Sequence, residues 1–152
     1  MINILFVCHG NICRSAAAEQ IMKQLVKINA TEDSFVIDSA ATSTEEIGNP
    51  MYPPMQRVFR EHGMPIGNHH ARQITKADAK DYDFLIGFDS ENLYYLHQIC
   101  GEEFASKIHL LSEYSGQNTE IADPWYTRDF EKAFSEIKAG CEGLYSYLTT
   151  TD

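Results

Sequence analysis

Cys8 and Arg14 enclose His9, Gly10, Asn11, Ile12 and Cys13, and Ser15 follows at once, where an apolar run, INILFV, gives way to the helix-like stretch SAAAEQIMKQLVK. A strand that ends in a tight loop opening a helix gathers backbone N–H groups and the positive end of the helix dipole around one small volume. That volume is an anion site with a thiol in its floor. A dianionic phosphoryl group fits the cradle: the Arg14 guanidinium can fork two of its oxygens, and Cys8 lies beneath as a nucleophile. A free thiol titrates near ~8.5, whereas one at a helix N-terminus beside a cation falls to ~3.5–7.5, so the placement that binds the anion also favours the thiolate. Ser15 can donate its hydroxyl to the sulfur or cap the helix. Inward-pointing amides need residues that tolerate positive φ, and Gly10 and Asn11 are of those types. A lone cysteine at a strand end is commonly only a small buried hydrophobe. Here the combination of Cys, Gly, Asn, Arg and Ser at this spacing points to chemistry. Zinc is a poor alternative, because Cys100 and Cys141 stand alone and form no second close pair with which to complete a tetrahedral set.

A second group stands far along the chain. The residue before a proline is driven to extended backbone, so Asp123, ahead of Pro124, sits on a stiffened loop with Trp125 and Tyr126 as apolar walls. A carboxyl there can hold a proton for a leaving group. On the residues alone, an ordinary Asp-Pro turn is an equal reading.

Four apolar runs must position these groups: INILFV at 2–7, FVID at 35–38, DFLIGF at 83–88 and KIHLL at 107–111. Each is short and near-continuous rather than alternating, as in strands covered on both faces. Helical patterns fall between and after them: Ile21, Leu25 and Ile28; Met55, Val58 and Phe59, stopped by Gly63; Leu93, Leu96 and Ile99; and a long stripe of Phe130, Phe134, Ile137, Cys141, Leu144 and Leu148. The order β-α-β-α-β-α-β-α predicts an α/β fold, a three-layer α/β/α sandwich around a four-stranded parallel sheet. With right-handed crossovers and flavodoxin-like strand order 2-1-3-4, the Cys8 loop falls at the switch point, where open α/β sheets bind ligands. The one long connection, AATSTEEIGNPMYPP, resists regular structure and has the character of a functional loop.

The chain has 152 residues, which predicts one domain spanning 1–152. Four cysteines with no secretory leader pattern point to free thiols in a reducing compartment, with the cytoplasm as the expected location. No apolar run approaches the length of a membrane span, so no membrane partner is expected. The formal charge of −10 argues against nucleic acid as a partner. It also means that an anion must be bound against the global field, by Arg14, the loop amides and the helix terminus.

The segment V-C-H-G-N-I-C-R-S resembles the active-site loop of the low-molecular-weight protein tyrosine phosphatases, whose pattern is Cys, five residues, Arg, Ser. The likeness continues through DSAATS at 38–43, EIGNP at 46–50, HHARQI at 69–74, FDSENL at 88–93 and DPWY at 123–126, in family order over nearly the whole chain. The resemblance implies the phosphotyrosine phosphatase I-like form of the fold and hydrolysis of phosphotyrosine proteins or aryl phosphates, with no cofactor and no metal. It implies Cys8 as nucleophile and Arg14, with the amides of residues 9–15, as the phosphate clamp. Asp123 would be the general acid and base. Asn11, Ser15, Ser39 and His69 would hold the loop in shape, and Cys13 would trap an oxidised Cys8 as a disulfide. Asp89 matches an acidic family position to which no chemistry is assigned.

Two rim positions depart from the family. The residue after the nucleophile, usually apolar, is His9, and the loop position that usually carries an aromatic wall is Glu45. Glu45 and Glu46 should disfavour substrates with acidic flanks. Arsenate reductases share the loop and fold, but they need relay cysteines, and residues 75–99 contain none. A phosphotransfer carrier would have no use for Asp123 as a hydrolytic base. A non-catalytic phosphate-binding module would not need Cys8, Arg14 and Asp123 together. The sequence leaves the oligomeric state open.

Overall fold

Alternate residues of the first strand divide the molecule. In β1 (Ile2–Cys8) the side chains of Ile4, Phe6 and Cys8 enter one apolar cluster and those of Leu5 and Val7 another, so the strand is covered on both faces and shows no polar alternation. The computed structural model describes residues 1–117 and 119–150. Its sheet is parallel, with β2 (Phe35–Ala41), β3 (Phe84–Gly87) and β4 (Ile108–Leu110) in the order β2-β1-β3-β4, as expected. On one face lie α1 (Arg14–Ile28), α2 (Pro53–Glu61) and the long α6 (Phe130–Thr149). On the other lie α3 (Lys76–Asp81) and α4 (Ser90–Cys100). A single helical turn, α5 (Pro124–Thr127), precedes α6.

The differences from the sequence reading bear on the site. Strand β2 runs three residues past the expected end at 38, and its register puts Ser39 beside Phe6 and Ala41 beside Cys8, carrying a serine hydroxyl in beneath the loop. Leu111 leaves the last strand for a 3₁₀ turn, Leu111–Ser115, which packs under α6. The approach is close: a Cβ on Gly143 would sit 2.0 Å from the Tyr114 carbonyl oxygen, so only glycine fits there. In α1 the buried face is Ile21, Met22 and Val26 behind Ala16, Ala17 and Ala18, while Ile28 is 69% exposed. The three alanines let the helix lie close on β1.

Gly63, at φ 65°, follows the end of α2 as expected. The connection at 40–54 gives its first two residues to β2 and its last two to α2; between them it has neither helix nor strand. It is stitched to the Cys8 loop, with Thr42 N donating to Cys8 O at 2.9 Å, Ser43 N to His9 O at 3.1 Å and Tyr52 N to Ile12 O at 2.8 Å. No described helix is long and apolar enough to cross a membrane.

Candidate active site

Cys8 ends β1 and is 3% exposed, with the Ser15 hydroxyl 2.9 Å from its sulfur and the Ser15 amide 3.4 Å away. Between them the chain turns through Asn11 at φ 59°. Gly10, expected to share that conformation, is not among the positive-φ residues, so asparagine alone makes the turn. Among the described residues, the amides of residues 9–14 donate to no protein acceptor. Cys13, at the N-cap of α1, provides no side-chain cap either. A loop of unsatisfied donors at the start of a helix binds anions.

A directed chain of hydrogen bonds holds this loop. Asn11 is fully buried, and its orientation is fixed because Oδ1 accepts from Arg72 N at 3.1 Å. Its Nδ2 therefore donates twice, to Ser15 Oγ at 2.8 Å and Ser39 Oγ at 2.9 Å. Ser39 passes its proton to Glu19 Oε1 at 2.5 Å. Ser15, already accepting from Asn11, has its one proton left for the Cys8 sulfur. His69 Nε2 donates to the Asn11 carbonyl at 2.5 Å, and its Nδ1 lies 3.6 Å from Glu19. The four expected supports, Asn11, Ser15, Ser39 and His69, thus meet, and a fifth that the sequence reading missed, Glu19, terminates the chain. Burial pushes the Glu19 carboxyl up, but hydrogen bonds from His69, Lys23 and Ser39 outweigh it and hold the group below the usual glutamate value.

Arg14 is 2% exposed. Its Nη1 donates to Asp89 Oδ2 at 2.7 Å and to the Ile121 carbonyl at 2.9 Å, and Nη2 lies 3.5 Å from Asp123 Oδ2. Burial works against the guanidinium charge, but Cys8, Asp89 and Asp123 more than offset it, and the Arg14 pKa stands above the ordinary arginine value. Asp89 therefore does more than the sequence suggested. One oxygen aims Arg14, while the other accepts from Asn92 N at 2.8 Å and caps α4. The sequence assigned Asp89 neither role, and its partner Arg14 lies 75 residues away along the chain.

The pocket above the sulfur is lined by the loop on one side and by Asp123, Trp125 and Tyr126 on another. Asp123 Oδ1 accepts from Trp125 N at 3.0 Å, so this carboxylate also caps the one-turn α5. Trp125, 49% exposed, packs its ring at a tilt, 5.1 Å between centres, against that of Tyr52, a wall residue the sequence reading missed. Tyr126 is 80% exposed and stands at the mouth. Glu45 and Glu46 complete the rim, and His9 Nε2 is 2.6 Å from Glu45 Oε2 with Nδ1 3.8 Å from Glu91. Cys13 lines the pocket with its thiol pushed up, by burial first and then by Cys8 and Asp123. The described cysteines are all free, and no cluster of three or more His, Cys, Asp or Glu placed to hold a metal occurs among the described residues.

A family model described as low molecular weight phosphotyrosine protein phosphatase matches residues 3–151. The chain is 38% identical over 150 residues to the low molecular weight protein-tyrosine-phosphatase YfkJ of Bacillus subtilis, covering 97% of this chain and 96% of that protein. It is 40% identical over 147 residues to the low molecular weight phosphotyrosine protein phosphatase of Gallus gallus, covering 93% and 92%. The crystal structure of YfkJ superposes with a TM-score of 0.93 at 37% identity, over 97% of this chain and 94% of that one. A protein tyrosine phosphatase structure from Entamoeba histolytica superposes with a TM-score of 0.90 at 30% identity, over 97% of each chain.

Proposed function

The chain belongs to the low-molecular-weight phosphotyrosine protein phosphatase family and is a protein tyrosine phosphatase, and from that premise we propose how its residues divide the reaction. The Cys8 thiolate attacks phosphorus; the S–P bond forms as the P–O bond to the aryl group breaks, leaving a cysteinyl-phosphate. Asp123 gives its proton to the departing phenol oxygen, and its carboxylate then takes a proton from the water that attacks phosphorus. The S–P bond breaks, inorganic phosphate leaves, and the Ser15 hydroxyl receives the returning thiolate. Arg14 and the amides of residues 9–15 hold the equatorial oxygens through both steps. Asn11, Ser39, His69 and Glu19 keep that loop in shape, and Asp89 keeps Arg14 aimed. Trp125, Tyr126 and Tyr52 wall the aryl ring, and Glu45 lies at the edge of that wall.

One observation carries the assignment: the sulfur of Cys8 is met by the Ser15 hydroxyl at 2.9 Å at the floor of a pocket that Arg14 and Asp123 also line. A deep floor also accounts for the aryl preference, since a tyrosine side chain reaches it while serine and threonine are too short, and a phenolate of pKa ~10 leaves more readily than an alkoxide. The reading is tested by metal-free hydrolysis of p-nitrophenyl phosphate. Wild type turns over in the presence of a chelator, Cys8→Ser is inactive, and rapid acid quench followed by mass spectrometry finds phosphate on Cys8. Phosphate on another residue, or a Cys8→Ser enzyme that still turns over, overturns it.

A further inference from the structure

Arg128 adopts φ 60°, ψ 14° as the residue that ends α5, a left-handed conformation in which glycine or asparagine is at ease and a long side chain is uncommon. Such an outlier calls for a use of the side chain. The guanidinium carbon lies 5.7 Å from the ring centre of Tyr52, 5.9 Å from that of Trp125 and 5.1 Å from that of Phe130. Its nitrogens reach the Tyr52 hydroxyl at 3.4 and 3.5 Å and the Trp125 carbonyl at 3.3 Å. One side chain thus joins the residue before α2, the wall tryptophan and the first residue of α6. Among the described residues, apart from the Thr127 hydroxyl, which accepts from the adjoining Asp129 N at 3.2 Å, segment 122–128 makes no other side-chain hydrogen bond to another part of the chain, and its remaining long-range polar tie is the 3.5 Å pair of Asp123 with Arg14. A four-residue helix has little cohesion of its own.

We propose that Arg128 is a positioning residue: stacked across Tyr52, Trp125 and Phe130, it clasps the turn that carries Asp123 and fixes where that carboxyl stands over the pocket. The inference rests on Asp123 being the general acid. A rival role for Arg128 is purely electrostatic, since its charge reaches the floor of the site: burial pushes the Cys13 thiol up, and the charges of Arg14 and Arg128 oppose it. The two roles separate cleanly. A clasp depends on a planar, stacking group and acts on proton transfer to the leaving group; an attracting charge is satisfied by lysine and acts on binding.

Trp125 is the chain's single tryptophan, so its fluorescence reports on this turn alone. Arg128→Gly, which keeps the left-handed backbone without strain, should lower kcat about tenfold on phenyl phosphate but only about twofold on p-nitrophenyl phosphate, whose leaving group needs little protonation, with KM nearly unchanged. Acrylamide quenching of Trp125 should rise. Arg128→Lys should recover less than half of the lost kcat. Equal losses on the two substrates, a KM rise cured by lysine, or unchanged quenching would each overturn the clasp. Asp123→Ala, measured alongside, separates the two readings. If it shows the leaving-group split and Arg128→Gly does not, the acid stands and the clasp falls. If Asp123→Ala loses both substrates equally, the acid assignment fails and the clasp, as a device acting on it, fails with it.

Discussion

Asn11 and Tyr126 both line or support one pocket, yet Asn11 is wholly buried with its side-chain amide bonded at both ends, while Tyr126 stands 80% exposed at the mouth. The contrast extends to their neighbourhoods. Around Asn11, the groups Ser15, Ser39, Glu19 and His69 form one directed network between β1, β2 and α1, so a change anywhere in it moves the sulfur's surroundings. The residues that share the pocket mouth with Tyr126 include the exposed Glu45 and Trp125 and the half-buried Glu46, all of which solvent already reaches. On the proposed reading, floor and rim carry different duties: the floor would hold an anion and a nucleophile in fixed relation, and the rim would weigh one substrate against another at small energetic stakes.

The floor breaks hardest. Arg14→Lys keeps a positive charge, but three N–H donors on one nitrogen cannot serve Asp89 and Ile121 and still fork a phosphate; kcat/KM should fall by ~10²–10³ with the fold intact by circular dichroism. A loss below tenfold would mean that the loop amides alone hold the oxygens. Asp89→Asn comes next. Asparagine caps a helix as well as aspartate, so α4 keeps its cap, but the buried Arg14 charge loses a partner and stability should fall by ~1–3 kcal/mol. The charge that aims Arg14 is gone, and kcat should drop about tenfold. Equal activity in Asp89→Asn and wild type would reduce Asp89 to a cap.

Glu19→Gln tests the floor through stability. Glutamine keeps one acceptor oxygen but turns an NH2 toward the other donor, so either Ser39 or Lys23 loses its partner, which should cost ~1–3 kcal/mol at neutral pH, read by urea unfolding, with the contribution of Lys23 reduced because its side chain is half exposed to solvent. The pH dependence has a fixed sign. The folded-state value of Glu19 is lowered from the usual 4.5, so its contribution is present above that value and is lost as pH falls through the lower folded one. The gap between wild type and Glu19→Gln should narrow in acid below about pH 4. A gap that widens there would show that Glu19 folds protonated.

How much of this was legible follows the same division. The loop from Cys8 to Ser15 is local, so residue types and spacing carried it, and α6 announced itself by an apolar stripe on one face. Glu19 was invisible because a glutamate in an alanine-rich helix reads as a solvent residue; only the extension of β2 to Ala41 brings Ser39 to it. Tyr52 was missed because nothing near residue 52 says that α2 begins beside Trp125. The helix α3 lacks an apolar period at six residues, and its only signal was the capping pair Thr75 and Asp78. Contacts distant along the chain were the common loss.

The rim should show the smallest effect. Glu45, Glu46 and, nearby, Glu91 put carboxylates around the mouth of a chain already at −10, with His9 bonded to one of them. At low salt, phosphotyrosine peptides with basic flanks should be hydrolysed ~2–5-fold more efficiently than those with acidic flanks, because exposed charges act weakly and over about a Debye length. Raising the salt to ~1 M, where that length is ~3 Å, should erase the difference. The double change Glu45→Gln with Glu46→Gln should do the same at low salt, bringing the two peptides to equal efficiency. A wild-type preference for acidic flanks would mean that the field at the mouth is set by Arg128 and the loop rather than by these glutamates, and would move the choice of substrate from the rim to the acid turn.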